Sequence, residues 1–352
     1  MTNFSNKLLC EKGEAYMINS PVSLRYYTGF SGGEGIAVCG CDFKVLITDS
    51  RYTEGAAKEA EGFEIVEKVP YISAVKDVFL KNNIKRVFFE DGALSYSEYK
   101  KTKELLGDGF EFSAASEFME KNRAKKELWE IENIKKAEEI SVAAFEYILS
   151  FLKPGISEIE VAAELEYHMR RSGAEKTSFD TIVLSGKKTS MPHGIPGEKK
   201  LEIGDFITMD FGCVYKGYCS DMTRTVVLGK ATEEQKMVYN TVLDAQMQGI
   251  DMIYSGANAA EADKRARNVI DKKGYGKYFG HSLGHGVGLN IHEAPNLSPK
   301  SSWILEENML VTCEPGIYIP EKFGVRIEDL LCVKQGRAEN FTLCEKKLLE
   351  IG

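Results

Sequence analysis

Long apolar runs are missing from this sequence: nowhere do its 352 residues approach the uninterrupted hydrophobic length that spans a bilayer. The N-terminal stretch MTNFSNKLLCEKGEAYMI has no basic segment followed by an apolar core, so a cytosolic protein without a secretory signal is expected. Positive charge is short as well. The 45 Lys and Arg against 53 Asp and Glu leave a formal net charge of −8, which disfavours nucleic acid or an anionic membrane as partner. Cysteine lacks pattern: eight are scattered at 10, 39, 41, 213, 219, 313, 332 and 344, with no C-x-x-C pair. Buried, reduced thiols are therefore expected rather than disulfides or a thiolate metal site. Histidine is rare. Of the five, His281, His285 and His292 crowd into Gly280–Glu293, GHSLGHGVGLNIHE, among glycines at 280, 284, 286 and 288. Imidazoles at that density can ligate metal or move protons near neutral pH. Glycines at that density permit close approach and positive φ.

The length suits two domains. Residues 16–50 alternate short apolar runs with turns (YMI, NSPVS, YYTGFSGGEG, IAVCG, KVLITDSRY), and FEIVEKV at 63–69 and RVFFE at 86–90 read as further strands. Helical spacing over 72–82 and 95–106 falls between and after them, which predicts a small α/β domain over 1–121. From about Ala124 a long charged helix runs to Pro154-Gly155, opening a second domain over 122–352. Ser157 with Glu160, Thr232 with Gln235, and Asn258 with Glu261 mark three later helix starts.

These helices repeat. Gly155 and Gly256 each break a helix pair, Gly173 and Gly274 each close one, and both separations are 101 residues. Each pair precedes a stretch containing glycine and histidine, then a hairpin: 205–228 carrying Asp210 and Asp221, and 308–333 carrying Glu314 and Glu328. A pseudo-twofold domain with the acids meeting at its centre follows. In the first hairpin a Lys216-Gly217 turn makes Asp210 face Thr223 and Gly212 face Asp221. Thr208, Asp210, Asp221, Thr223 and Thr225 then share one face, and Ile207, Met209, Phe211, Met222, Arg224 and Val226 share the other. Asp210 and Asp221 become diagonal neighbours within roughly 7 Å. Bare carboxylates that close repel, unless one holds a proton or a cation lies between them. The second hairpin places Glu314 and Glu328 roughly opposite each other. Four acids with one or more histidines match two divalent cations in charge; Mn²⁺ suits such oxygen ligands, and Co²⁺ or Zn²⁺ can also accept them. Two such ions about 3.5–4 Å apart can make a nucleophile from water and polarise a carbonyl.

Competing motifs fail on context. Gly280-x-Ser282-x-Gly284 spells a serine hydrolase's nucleophile elbow, but a polar, glycine-broken segment precedes it and no helix can follow. Asp210-Phe211-Gly212 spells the kinase DFG without the accompanying kinase loops. His168 lies on the polar face of a charged helix, where solvent exposure is expected, and His193 follows Met191-Pro192 in the segment corresponding to the glycine-rich one.

The motifs PHG at 192–194, MDFGCVYKGYCSDMTRT at 209–225, GHSLGHGVGLNIHEAP at 280–295, EPGIYIP at 314–320 and GVRIED at 324–329 resemble the aminopeptidase P and prolidase branch of the pita-bread metallopeptidases. YYTGF at 26–30 and ITDSRY at 47–52 resemble that branch's creatinase-like N-terminal domain. The resemblance implies an α+β protein, a pita-bread catalytic domain with its pseudo-twofold α-α-β-β repeat preceded by a smaller α/β domain. It implies two metal ions on Asp210, Asp221, His285, Glu314 and Glu328, with His281 beside the substrate carbonyl. It also implies that His193 and His292 contact substrate and assist proton transfer, and that Arg326 orients substrate or ligands. The implied substrate is a peptide with proline second, the implied assembly a homodimer. Methionine aminopeptidase shares the ligand pattern but usually lacks the N-terminal domain. Creatinase and non-catalytic relatives lack ligands that are present here.

Overall fold

The computed structural model describes residues 4–352, so the first three residues of the N-terminal stretch read above lie outside it. The chain divides into two compact units, Met1–Arg123 and Ala124–Gly352. Among the described residues no helix is long and apolar enough to cross a membrane.

The first unit is a six-stranded sheet of β1 (Glu14–Ile18), β2 (Ile36–Gly40), β3 (Lys44–Thr48), β4 (Glu64–Glu67), β5 (Arg86–Phe89) and β6 (Glu111–Ala114), in the order β4-β3-β2-β1-β5-β6. The β1–β2 and β2–β3 pairs are antiparallel and the other three parallel. Helices α1 (Pro21–Thr28), α2 (Thr53–Glu59), α3 (Tyr71–Lys81), α4 (Tyr96–Leu106) and α5 (Ser116–Ala124) complete it. Val38, Val45, Ile47, Phe79 and Val87 fill its core, each stabilising by about 1.5–3 kcal/mol on full burial. The sequence reading missed α1. Its signals are there: the Ser20 side chain accepts from the Ser23 N–H, Pro21 takes the first position, and Gly29 ends the helix at φ 81°. The run of aromatic residues masked them.

The second unit is built from two helix pairs and their strands. In the first half α6 (Leu128–Leu149) and α7 (Glu158–Arg171) cover β7 (Lys176–Thr177), β8 (Ile182–Ser185), β9 (Phe206–Phe211), β10 (Cys213–Tyr215), β11 (Tyr218–Cys219) and β12 (Met222–Leu228). In the second, α8 (Glu233–Ile250) and α9 (Ala259–Lys272) cover β13 (Gly284–Gly286), β14 (Glu293–Leu297), β15 (Leu310–Cys313), β16 (Gly316–Ile319), β17 (Phe323–Arg326) and β18 (Asp329–Cys332). The capping boxes at Ser157 and Thr232 form; Asn258 caps through the Ala260 N–H instead of a reciprocal pair with Glu261. The repeat is visible in backbone angles: Gly155, Gly173, Gly256 and Gly274 all have positive φ, at 89°, 105°, 95° and 83°. The long helix starts later than read, at Leu128, because Glu127 caps it and residues 125–127 are extended between α5 and α6.

Both hairpins take the expected register. Lys216 and Gly217 adopt positive φ, Tyr215 pairs with Tyr218, and Thr223 pairs with Asp210. Ile207, Met209, Phe211, Met222 and Val226 join the core beneath the first helix pair. In the second hairpin Cys313 pairs with Asp329 and Gly316 with Arg326, which sets Glu314 opposite Glu328. The halves meet where Thr223 bridges Glu328. Behind that seam Arg224 is fully buried, its guanidinium donating to Asp329 Oδ1 at 2.9 Å and to the Glu328 carbonyl at 2.6 Å.

Candidate metal centre

His285 is delivered by β13, which is squeezed between β14 and β15. A Cβ on Gly284 would sit 2.1 Å from the Thr312 carbonyl oxygen, and one on Gly286 2.3 Å from that of Ala294. Close approach is therefore why glycines flank His285. Positive φ is not: none of Gly280, Gly284, Gly286 or Gly288 has it, contrary to the sequence reading. The strand after Ser282 also rules out the helix that a nucleophile elbow needs.

The His285 Nδ1 lies 3.1 Å from its neighbour's carbonyl, Gly286 O. A carbonyl only accepts, so Nδ1 carries the proton and Nε2 presents a lone pair. That lone pair faces Asp221 Oδ2 at 3.4 Å and Glu314 Oε1 at 3.5 Å. Three acceptors turned toward one point repel unless a proton or a cation lies between them. Donors that would share one ion at about 2.1 Å stand about 3–3.5 Å apart, the spacing found. Asp221, His285 and Glu328 bring ligand atoms within 4.8 Å of one another. Thr223 Oγ1 donates to Glu328 Oε2 at 2.7 Å, and the Asp221 N–H donates to buried Glu138 at 3.2 Å. Asp210 accepts from the Arg326 guanidinium.

Electrostatics agree with that geometry. Burial, then the charges of Asp210 and Glu314, push the Asp221 carboxyl well above its usual range. Burial pushes Glu314 up to about 7, and burial with Asp221 and Glu314 raises Glu328. Burial opposes the Arg326 charge, yet Tyr318, Asp210 and both glutamates hold its pKa well above the ordinary value. One guanidinium cannot neutralise four carboxylates. The donor set of hard oxygens and one imidazole thus fits divalent cations.

A hydrogen-bonded row flanks the carboxylates. Arg326 Nη1 donates to Tyr318 Oη at 2.8 Å, and Tyr318 Oη lies 3.0 Å from His281 Nε2. The His281 Nδ1 is 2.8 Å from the Ser282 carbonyl, so it holds the proton and Tyr318 donates to Nε2. Burial, then the Arg326 charge, push His281 down to about 4, which keeps it neutral at pH 7. The His292 ring packs edge-on against His285, with centroids 4.4 Å apart, and burial first, then the neighbouring His285 imidazole, lower its pKa. His193 stands apart, exposed on a turn, within electrostatic reach of His281 and His292. His168 is half-buried and stacks on Tyr147 at 4.3 Å, so it is less exposed than its helix face implied.

Tyr318 and Glu138 went unread in the sequence. Tyr318 sits inside EPGIYIP, but only the β16–β17 register shows it touching Arg326. Glu138 on α6 resembles any other acid of a charged helix until its burial is seen.

The sequence profile described as metallopeptidase family M24 matches residues 132–335. The chain belongs to metallopeptidase family M24. The profile of the creatinase/prolidase N-terminal domain matches residues 3–125, so the second unit is the family's pita-bread domain and the first its creatinase-like partner. Among similar proteins, an Xaa-Pro dipeptidase of Pyrococcus furiosus is 40% identical over 334 residues, 94% of each chain. The solved Xaa-Pro dipeptidase from Bacillus anthracis matches with a TM-score of 0.92 and 46% identity, over 95% of this chain and 94% of its own. An X-Pro aminopeptidase from Thermotoga maritima matches with a TM-score of 0.90 and 38% identity, over 96% and 97%.

Proposed function

We propose that this M24 metallopeptidase uses two divalent ions to hydrolyse the bond between an N-terminal residue and a following proline. The observation that carries the metal reading is the lone pair of His285 aimed at Asp221 and Glu314, with Asp210 and Glu328 completing the acid cluster. The relatives named for Xaa-Pro cleavage, similar over nearly the whole chain, support the substrate class.

Asp210, Asp221, His285, Glu314 and Glu328 would hold the ions, Mn²⁺ before Co²⁺ or Zn²⁺. When bound, they supply a nucleophile from water at neutral pH and polarise the scissile carbonyl. The chain's own part is positioning and charge. Thr223 aims Glu328, the Gly286 carbonyl aims His285, and Glu138 holds the Asp221 backbone. Arg326 restrains Asp210 and, through Tyr318, fixes the His281 ring beside the reacting carbonyl. His292 and His193 contact substrate, and the neutral His292 ring can take and return a proton. An Xaa-Pro amide has no N–H; an ordinary peptide N–H would be buried unpaired there, at roughly 1–3 kcal/mol. The protein works on proline-containing peptides in the cytosol as a homodimer, which light scattering on the purified protein checks.

The decisive experiment compares Xaa-Pro, Xaa-Pro-amide, Xaa-Pro-Xaa and Xaa-Ala on enzyme loaded with each metal. A dipeptidase loses most activity when the proline carboxylate is amidated or extended, and an aminopeptidase tolerates extension. Equal rates on Xaa-Ala and Xaa-Pro would rule out proline specificity.

A further inference from the structure

Glu158, the first residue of α7, is a fully buried carboxylate that takes no part in the acid cluster. It accepts four hydrogen bonds. Oε1 takes the Ser185 N–H at 2.8 Å and the Ser185 hydroxyl at 3.0 Å; Oε2 takes the Gly197 N–H at 3.1 Å and the Lys188 ammonium. Ser185 ends β8 and Gly197 ends the loop that follows, so one carboxylate holds both feet of the loop over 186–197. The helix start adds a second grip: the N–H groups of Glu158 and Ile159 donate to the Lys199 and Gly197 carbonyls, at 3.0 and 3.1 Å. Lys188 also reaches across the base of the loop to the Ile195 carbonyl at 3.1 Å. An anion at a helix start, met by an ammonium and two backbone N–H groups, makes charge-assisted bonds that are short and geometrically demanding.

The loop's crest meets the metal centre. Thr189 Oγ1 accepts from the Gly324 N–H on β17 at 2.8 Å, and the Pro192 carbonyl accepts from Arg326 at 3.4 Å. Next to Pro192 stands His193, exposed and with no hydrogen bond of its own among those of the described residues. Its ring is therefore placed by the loop's backbone, which Thr189 and Pro192 hold at the crest and Glu158 holds at both feet.

We infer that Glu158 is a positioning residue, which sets the loop that presents His193 to substrate and thereby governs substrate use without holding metal. This rests on the Xaa-Pro reading. The chemistry of the substitution is specific: the carboxamide of Glu158→Gln has one acceptor oxygen, so its NH₂ must face donors at one foot of the loop. Lys188→Met removes the ammonium from Glu158 Oε2 and from the Ile195 carbonyl, at a side chain partly in solvent, and leaves the bonds from Ser185 and Gly197 to Glu158 in place.

The test measures kcat and KM on Ala-Pro, metal content by elemental analysis, and amide hydrogen exchange over 186–197, for metal-loaded wild type, Glu158→Gln, Lys188→Met, His193→Ala and the double variants. Glu158→Gln should keep its metal, exchange faster across the loop, and lose about 10- to 100-fold in kcat/KM. Lys188→Met should change in the same direction by less, and it carries the test if Glu158→Gln folds poorly. In the His193→Ala background neither substitution should cost further rate, since both act through that ring. Additive losses, or loss of metal in step with rate, overturn the proposal while wild type still cleaves Ala-Pro. Wild-type enzyme that leaves Ala-Pro intact overturns the Xaa-Pro reading instead, and this proposal with it.

Discussion

His281 and His285 sit four positions apart and meet different chemistry. The Nε2 lone pair of His285 faces two carboxylates, whereas that of His281 is covered by the Tyr318 hydroxyl. On the proposed ligand set, His285→Ala should lose metal affinity. His281→Ala should keep most of its metal and lose rate by roughly 10²-fold or more, the usual cost of an oxyanion or proton-transfer group. Elemental analysis beside kcat separates the two, and equal metal loss in both variants would refute the division. Thr223 offers a finer test. Thr223→Val keeps the shape of the strand but removes the 2.7 Å bond that aims Glu328. Metal affinity, read by titration against a chelator, should fall by about 10- to 100-fold.

At the scale of elements, β13 shows how a strand can be specified by what its neighbours leave room for. Gly286→Ala would drive a methyl group into the Ala294 carbonyl, so β14 must give way and His285 must tilt. The expected cost is about 1–3 kcal/mol in denaturant unfolding, together with weaker metal binding. Gly280→Ala meets nothing within 4 Å and should leave both unchanged. The hairpins were readable because their signals are local: a turn pair with positive φ and strict alternation fix the β9–β12 register from a few residues. Helix α1 was missed although Ser20, Pro21 and Gly29 are equally local signals, because Tyr26, Tyr27 and Phe30 look like strand. Tyr318, Thr223 and Glu138 are a different case. Their partners lie across the seam or on another element, at separations that no spacing rule reaches: Thr223 and Glu328 are 105 residues apart.

For the whole molecule, the acid cluster ties stability to pH and metal together. In metal-free protein Glu314, raised to about 7, and Asp221 and Glu328, raised well above normal, bind protons more tightly folded than unfolded. The folded state then binds the extra protons, so their contribution is full below the unfolded pKa and is lost as pH rises through the folded value. His281, lowered to about 4, works the other way, gaining stability only up to pH 6.5. Between pH 6.5 and about 8 the chelated protein should therefore lose thermal stability, and metal-loaded protein should lose less. Glu138, also pushed up to about 7 by burial, adds a loss over the same range. Melting temperatures of chelated and Mn²⁺-loaded protein across that range check it; parallel curves would show that no cation enters the cluster. The seam at Thr223 and Glu328 carries this further. On the proposed ligand set Asp210 and Asp221 come from one half and His285, Glu314 and Glu328 from the other, so the complete site needs both halves and an ion that draws on both would rivet them together. Separation of the halves then waits on ion release, and the survival time of a molecule exposed to proteases should lengthen with metal supply, quite apart from how fast it cuts peptides.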